Sequence, residues 1–538
     1  MAESQTNALA AGPTVISRPL KAAGLIIHFA IWFLLLAVCY RNTKSAFLRA
    51  ESGWYEFLSH SEQRRHFLIY LLSYSYHGHY TPLAFAAEFE LTRLVGPQEL
   101  FWKWRQITML SLLATTISVF ASRLARCSRI STVPAAALAG GITALFVFQP
   151  RMTELIAWPF LVMQLGWMLL TVAALAAVVQ IAGDSKRLGW IWIAAACAYG
   201  SMHATGLGLA TVGATGVAFL LLRSSDYTKT RPLTRRHLAA ALAIMFVLAA
   251  FHGACMSWLP NADLPVPIHQ RIAIKPVLGF VWMFLISVFR SLIGANPATA
   301  DSVTLLSSQW LFGSAFLIAS AFMLITSIQI IRHSSRAEQR IALLLHVFSI
   351  TAFIGVLLMI IARQLREGSE SQFGGFLMGA RYLVPVSFAL LGSIVSIALS
   401  TARRAPPWVS ATLLIGIGIT AYDANQQYAV VLRTVDPRTT VSHARAWSLL
   451  VETAREARAA GLSVPNVPMA ALTTEFSTWD LELFEPLLAH ELRLPPGEKI
   501  AFASWDVFAT GIPEEYAVSV PSLRPLVELL NLEPGHGR

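Results

Sequence analysis

Long apolar stretches recur along the chain up to about residue 422. A helix needs about 20 predominantly apolar residues to cross the hydrocarbon core of a membrane. Stretches of this kind lie near 22–40, 104–121, 132–149, 155–182, 188–203, 204–222, 237–256, 276–293, 311–331, 341–361, 381–399 and 408–422. They do not alternate apolar and polar residues, which excludes the strands of a porin-type barrel. The pattern therefore predicts an all-α polytopic membrane protein.

The composition agrees with this prediction. Of the 538 residues, 55% are apolar and 13% are charged, and the mean hydropathy is +0.57. In a soluble protein about a quarter of the residues are charged. The net charge of +11 would suggest nucleic acid for a soluble chain, but the cytoplasmic loops of membrane proteins collect Lys and Arg. We therefore expect membrane lipids, and not nucleic acid, as partners.

Basic residues also predict the orientation of the bundle. Lys and Arg in short loops stay on the cytoplasmic side, and they follow the second, fourth and sixth apolar stretches. Residues 1–21 then form a cytoplasmic N-terminal tail. The arginines between 332 and 340 fit the alternation only if one earlier stretch does not cross. We choose 276–293 as a re-entrant or interfacial helix, because a polar, proline-containing stretch follows it. About 11 crossings remain, and the C-terminus lies outside.

Two regions are predicted to lie outside the membrane, on the outer face. Residues 41–103 form a large first outer loop of the bundle at 22–422, and residues 423–538 form a C-terminal region. This region holds 15 acidic and 9 basic residues, so it carries −6 while the rest of the chain carries +17. The shift in charge indicates a domain boundary. A helical pattern over 441–460, followed by Gly461 as a C-cap residue, indicates a small globular region.

The first outer loop contains the candidate catalytic residue. Glu51 follows the first apolar stretch by about ten residues, close enough to face the bundle. A carboxylate there can accept a proton from an acceptor hydroxyl, which is the role of a general base. Polar residues are also common in solvated loops, so a position in solvent is the alternative for Glu51.

Patterns typical of metal ligands are weak in this sequence. His77 and His79 flank Gly78, so the backbone and both imidazoles can approach a ligand closely. Two histidines without a third ligand do not define a metal site, so substrate binding, structural hydrogen bonding and a divalent metal all remain open for them. Cysteines lie in or beside apolar stretches without the spacing of a zinc or redox motif, and we expect small core residues at Cys39, Cys127, Cys197 and Cys255.

The order of motifs in the first outer loop resembles a known family. A first span, the acidic residue Glu51, the segment His-Gly-His-Tyr-Thr-Pro-Leu at 77–83 and an amphipathic helix closing with Gly96 follow one another. This order resembles the first outer loop of GT-C-type membrane glycosyltransferases. It is most similar to bacterial multispan relatives of the transmembrane-and-TPR protein O-mannosyltransferases.

Two further motifs extend the resemblance over about residues 20–400. The stretch 150–158, with Glu154 at its centre, is similar to that group's Pro-x-x-x-Glu-x-Val-Ala-Trp at the outer start of the fourth span. Arg381-Tyr382 enters a late span after the loop bearing Arg363 and Arg366, and it resembles an Arg-Tyr pair of related bacterial chains.

The resemblance implies a transferase at the periplasmic face of a bacterial inner membrane. Its donor is a polyprenyl-phosphate sugar, and its acceptor is an envelope glycan, a lipid or a protein. Arginine presents a fork of donors that suits phosphate, so Arg363, Arg366 and Arg381 are candidates for donor binding, although outer-end arginines also reach lipid headgroups. His77, His79, Glu154 and Tyr382 complete the implied substrate site.

The chain departs from the family pattern in two respects. Ala50-Glu51 stands where the family usually has an acidic pair, and no tetratricopeptide array follows the bundle. A degenerate relative that serves as an assembly partner is therefore one alternative. A transporter or flippase of lipid-linked saccharide is another, but a translocation path needs polar groups at depth, and the centres of the apolar stretches are nearly free of charge.

Overall fold

A computed structural model covers the chain and describes most of the bundle and of the C-terminal region. The described residues are 18–41, 43, 80–96, 98–128, 130–149, 152–183, 187–258, 336–367, 380–404, 442–467, 485–495, 497–505 and 507–531, with isolated positions between 325 and 333 and between 406 and 422. The predicted re-entrant segment 276–293 lies outside them.

The described part of the bundle is helical. Its helices are α1 (Arg18–Cys39), α2 (Pro82–Val95), α3 (Glu99–Cys127), α4 (Thr132–Val147), α5 (Met152–Ala157), α6 (Val162–Ala182), α7 (Gly189–Ala204), α8 (Gly208–Ser224), α9 (Asp226–Lys229), α10 (Pro232–Trp258), α11 (Ala337–Glu367), α12 (Ala380–Ala389) and α13 (Leu391–Arg404). A 3₁₀ turn at Pro159–Leu161 connects α5 to α6.

The C-terminal region mixes short helices with one small sheet. Its helices are α14 (Ser442–Ala459), α15 (Glu485–Glu491), α16 (Val507–Thr510), α17 (Glu514–Ser519) and α18 (Leu523–Asn531). Strands β1 (Val464–Pro465) and β2 (Phe502–Ala503) pair in parallel.

Helices of the right length and composition to cross a membrane are present. Four described helical segments qualify, at Leu100–Cys127, Pro159–Ala182, Pro232–Cys255 and Ala337–Met359, and shorter apolar helices accompany them. The chain is thus an all-α membrane protein in its described part, as the sequence predicts. The expected number of about 11 crossings is not tested by these helices.

Local signals correctly predict two helix ends. The amphipathic helix of the first outer loop is α2, and Gly96 follows it with a φ of 66°. Gly461 follows α14 with a φ of 71°. Glycine reaches this left-handed region without the steric cost that other residues carry.

The apolar stretch 155–182, predicted as continuous, is broken. Trp158 is extended, with φ −106° and ψ 100°, and it separates α5 from the 3₁₀ turn. Pro159 explains the break, because its ring disfavours helical geometry in the residue before it and it has no N–H to donate. The cysteine prediction is also wrong in one case, since Cys127 is exposed at the end of α3, whereas Cys39 is buried.

Small residues allow close packing inside the bundle. A Cβ added at Gly355 of α11 would lie 2.8 Å from the Cβ of Ala210 on α8, and one added at Gly392 of α13 would lie 2.6 Å from Ser349 Oγ. Packing of this kind holds membrane helices together, because lipid tails are as apolar as the side chains and burial alone gives little driving force.

A second hydrophobic core joins the C-terminal region to the start of α3. Trp102 is fully buried among residues of that region, including Trp447 and Leu450 of α14. Its Nε1 donates to the carbonyl of Gly96 at 2.7 Å. The first turn of α3, which begins at Glu99 before the apolar stretch at residue 104, therefore belongs to this second core.

The bundle has two ends that differ in charge. At the Tyr40 end, where α1 finishes and α3 begins, Tyr40 Oη donates to the carbonyl of Val147 at 2.8 Å. At the opposite Arg340 end, the Arg340 guanidinium lies 4.4 Å from the ring centre of Tyr227. Basic residues collect at the Arg340 end, at Arg123, Arg126, Arg187, Arg223, Lys229, Arg231, Arg235, Arg236, Arg332, Arg336 and Arg340.

Candidate functional site

Side chains of α3 bridge the helix break at the Tyr40 end. Gln106 Nε2 donates to the carbonyl of Leu155 at 2.7 Å and to that of Trp158 at 3.1 Å. The Leu155 carbonyl cannot receive its usual helical hydrogen bond, because the residue four positions later is Pro159. Arg105 Nη2 donates to the Pro159 carbonyl at 2.5 Å. The break is therefore a fixed feature of the fold, and it fixes the direction of α5.

An ion pair ties α2 to α3 at the same end. Arg105 Nη1 lies 2.7 Å and 2.8 Å from the two carboxylate oxygens of Glu88, and both side chains are largely buried. The Arg105 guanidinium also lies 4.4 Å from the ring centre of Trp102. Burial raises the pKa of the Glu88 carboxyl, and the charge of Arg105 acts in the opposite direction. The pair fixes the amphipathic helix against the bundle.

The helices that carry five of the predicted site residues come together. Glu154 lies on α5, and Arg381 and Tyr382 lie in the first turn of α12, which packs against α5. Arg363 and Arg366 lie near the end of α11, which packs along α12. The side chains of these five residues lie outside the described part of the structure, so the finding concerns their helices.

Glu51, His77 and His79 lie outside the described residues. Tyr80, which follows His79 in the chain, is described, and its ring centre lies 5.6 Å from that of His252. Desolvation by burial raises the pKa of Tyr80, and interactions with the Cys255 thiol add to this.

A pair of histidines at the Tyr40 end was not predicted. The rings of His203 on α7 and His252 on α10 lie 5.7 Å apart, and His252 is 2% exposed. His203 Nδ1 and His252 Nε2 are buried and have no hydrogen-bond partner among the described residues. A buried polar atom left without a partner costs about 1–3 kcal/mol. Both imidazoles can thus bind a ligand hydroxyl. In the sequence, the signal for them is that each histidine occurs near the end of an apolar stretch.

Metal ligands do not cluster in the described part of the chain. No three side chains of His, Cys, Asp or Glu come together there in a way that could hold a metal ion. His203 and His252 provide two nitrogen donors, fewer than a structural or catalytic zinc site uses.

Hydroxyl groups inside the bundle mostly bond to their own helix. Ser111, Thr115, Thr143 and Thr171 each donate to the carbonyl four residues earlier, at 2.7–2.8 Å. Each of these hydroxyls has used its single hydrogen and cannot donate to a passing sugar or phosphate. Buried polar atoms without a partner among the described residues occur at the Tyr40 end, at His203 and His252, and also inside the bundle, at Thr215, His346 and Ser393.

Comparison with known proteins finds no relative. The chain matches no protein-family model, no curated protein and no solved structure. The resemblance to GT-C-type glycosyltransferases therefore depends on the order of motifs in the sequence.

Proposed function

We propose that the protein is a membrane glycosyltransferase with a GT-C-like bundle, acting at the periplasmic face of a bacterial inner membrane. It transfers a sugar from a polyprenyl-phosphate donor to an envelope glycan, lipid or protein acceptor. The Tyr40 end faces the periplasm in this proposal, because the Arg340 end collects most of the described arginines and basic loops stay in the cytoplasm. The bundle crosses the membrane about 11 times, with the N-terminus inside and the C-terminus outside.

One observation carries the proposal. The packing of α12 against both α5 and α11 brings together three helices that bear the motif residues around Glu154, Arg363 and Arg381. Glu154 is more than 200 positions away from Arg363 and Arg381 in the sequence. A site that binds a lipid phosphate at headgroup level needs cationic donors at such an end.

The proposed reaction is a direct displacement at the sugar carbon. The acceptor oxygen forms a bond to the anomeric carbon, and the bond between that carbon and the phosphate oxygen breaks. Glu51 accepts the proton of the acceptor hydroxyl, and polyprenyl phosphate leaves with the bonding electrons. Arg363, Arg366 and Arg381 balance the charge of the phosphate, while His77, His79, Glu154 and Tyr382 contact the substrates. His203 and His252 bind acceptor hydroxyls through their ring nitrogens.

The transfer reaction is tested first in cells, by the composition of their envelope glycans. Mass spectrometry of envelope glycans from a deletion strain and its parent should show the loss of one sugar in the deletion strain. Complementation with Glu51→Gln should fail to restore it, although the protein is present at the wild-type level. Glu90→Gln is the control, because Glu90 pairs with Arg93 on the partly exposed face of α2. Restoration by Glu51→Gln would remove the base assignment.

Donor binding is tested separately with purified protein. Arg381→Ala should weaken binding of a polyprenyl-phosphate sugar at least tenfold, because it removes a charged phosphate contact. Arg332→Gln, an exposed arginine at the other end of the bundle, should bind like wild type. Equal affinity of Arg381→Ala and wild type would exclude Arg381 from the site.

A flippase is the alternative, and a degenerate assembly partner is a further one. The hydroxyls of Ser111, Thr115, Thr143 and Thr171 donate to carbonyls of their own helices. This disfavours a polar path through the bundle. Liposomes containing the purified protein distinguish the three: a transferase cleaves the lipid-linked sugar, a flippase moves it intact between leaflets, and an assembly partner does neither.

A further inference from the structure

A cavity lies between the C-terminal region and the junction of α2 and α3. Its volume is about 550 Å³, within the range of small-molecule sites. One wall consists of the end of α2 and the turn to α3, at Leu94, Val95, Gly96 and Gln98. The other wall consists of Arg455 on α14 and the end of α15, at His490, Glu491, Leu492 and Arg493. The cavity is built from two distant parts of the chain that share a hydrophobic core containing the buried Trp102.

The charges in this cavity oppose those of the region around it. Residues 423–538 carry −6, yet two of their nine basic residues face the cavity. Arg458, one turn after Arg455 on the same helix, forms an ion pair with Glu498 at 2.5 Å. No such ion pair is formed by Arg455 or Arg493 within the described part of the chain. Both guanidinium groups are therefore available to an anionic ligand.

The backbone holds Arg493 in an unusual conformation. Its φ is 54°, the only positive value among the described residues other than glycine. It follows the end of α15, where the Arg493 N–H donates to the His490 carbonyl at 3.0 Å and the Leu494 N–H donates to the Ala489 carbonyl at 2.9 Å. Glycine usually occupies this position of a helix end. An arginine in this conformation is less favourable than a glycine would be. It does, however, place a guanidinium group at the cavity.

We propose that this cavity binds an anionic saccharide, a sugar that carries a phosphate or a carboxylate. Arg455 and Arg493 bind the anionic group through charge-assisted hydrogen bonds. Glu491 and Gln98 bind sugar hydroxyls, since a carboxylate accepts hydrogen bonds and an amide both donates and accepts them. The negative charge of the Glu491 carboxylate repels an anion. The cavity should therefore bind a ligand with one anionic group and several hydroxyls more tightly than a bare phosphate. The site is separate from the proposed transfer reaction, and its binding is measured without a lipid donor.

The experiment is calorimetric titration of the full-length protein in detergent with glucose 6-phosphate, galacturonate, glucose and inorganic phosphate. The first two should bind, glucose should not, and inorganic phosphate should bind at least tenfold more weakly than glucose 6-phosphate. Equal binding of glucose would overturn the role of the anion. Equal binding of inorganic phosphate would overturn the assignment of a sugar.

Two variants test whether glucose 6-phosphate binds in this cavity. Arg455→Gln keeps a good helix former, and Arg493→Asn keeps a residue that tolerates positive φ, so both should fold with the wild-type melting temperature. Each should raise the Kd for glucose 6-phosphate at least tenfold. Arg524→Gln, on the exposed side of α18, should leave the Kd unchanged. Wild-type affinity in both cavity variants, or the absence of binding to the wild-type protein, would overturn the proposal even if the transfer reaction were established.

Discussion

Arg105 and Glu88 form a buried ion pair across the turn between α2 and α3, with Nη1 of Arg105 at 2.7 Å and 2.8 Å from the two carboxylate oxygens. Breaking a buried pair by removal of one partner costs about 3–5 kcal/mol, because the remaining charge is left without compensation. Arg105→Gln should therefore lower the free energy of unfolding by about 3 kcal/mol. Denaturant unfolding in detergent micelles measures this loss.

The matched control is the neighbouring pair of Arg93 and Glu90. Its N–O distance is 2.9 Å, but about a third of each side chain is exposed. Exposed pairs contribute roughly 0–1 kcal/mol, so Arg93→Gln should have a small effect. Similar losses in Arg93→Gln and Arg105→Gln would contradict the importance of burial.

The same pair predicts a dependence of stability on pH. Burial raises the pKa of Glu88 above its ordinary value of 4.5, although Arg105 opposes the shift. A raised folded-state pKa means that the folded protein holds this proton more tightly than the unfolded chain. The resulting stability is complete below pH 4.5 and is lost as pH rises through the folded-state pKa.

Glu88→Gln removes this titration and so isolates it. The difference in the free energy of unfolding between wild type and Glu88→Gln should shift against the wild type as pH rises from 4 to 8. Thermal unfolding at several pH values measures the trend, and Glu90→Gln shows the background from a partly exposed carboxyl. A difference that grows in favour of the wild type over this range would show that the pKa is lowered.

Local signals were sufficient to predict most described helices. Pro82 opens α2 and Gly96 follows it, and this arrangement of proline and glycine is common at the two ends of helices. The break before Pro159 was missed, because hydropathy over 155–182 is continuous across it. The length of an apolar stretch indicates how much apolar surface the chain can bury. It does not indicate where a helix ends, which here depends on the single residue Pro159.

The site could be predicted only in part. The motifs around Glu154 and Arg381 lie on helices that pack together, but the pairing of Glu88 with Arg105 depends on the turn between α2 and α3. The contact of His203 with His252 depends on how α7 and α10 pack against each other. A single sequence does not determine the relative rotation of two helices, so such pairs appear only in the folded structure.

Trp102 is predicted to hold the C-terminal region on the bundle. It is fully buried in the core of that region, although it belongs to α3. Truncation of a buried aromatic residue costs about 3–5 kcal/mol, so Trp102→Ala should expose residues 442–531 to limited proteolysis much faster than wild type. Trp104→Ala is the control, since Trp104 is 38% exposed and stacks on Phe33 at 5.7 Å. Equal cleavage rates for the two variants would show that Trp102 is not the connection.

Gly355 is predicted to set the distance between α11 and α8. A Cβ at this position would lie 2.8 Å from the Cβ and 3.0 Å from the Cα of Ala210, which is closer than atoms pack without moving apart. Overpacking of this kind costs about 1–3 kcal/mol. Gly355→Ala should therefore lower the midpoint of thermal unfolding, even though alanine favours a helix over glycine by about 1 kcal/mol.

Gly213 on α8 separates the steric effect from the helix propensity. A Cβ added there meets nothing within 4 Å among the described residues, so Gly213→Ala retains the propensity gain without a clash. Its unfolding midpoint should equal or exceed that of the wild type. Because the two substitutions are chemically identical and both lie within helices, opposite shifts would support the close approach of Gly355 to Ala210 as the cause. Shifts of the same sign and size would mean that the helices separate at little cost and that the contact does not determine their spacing.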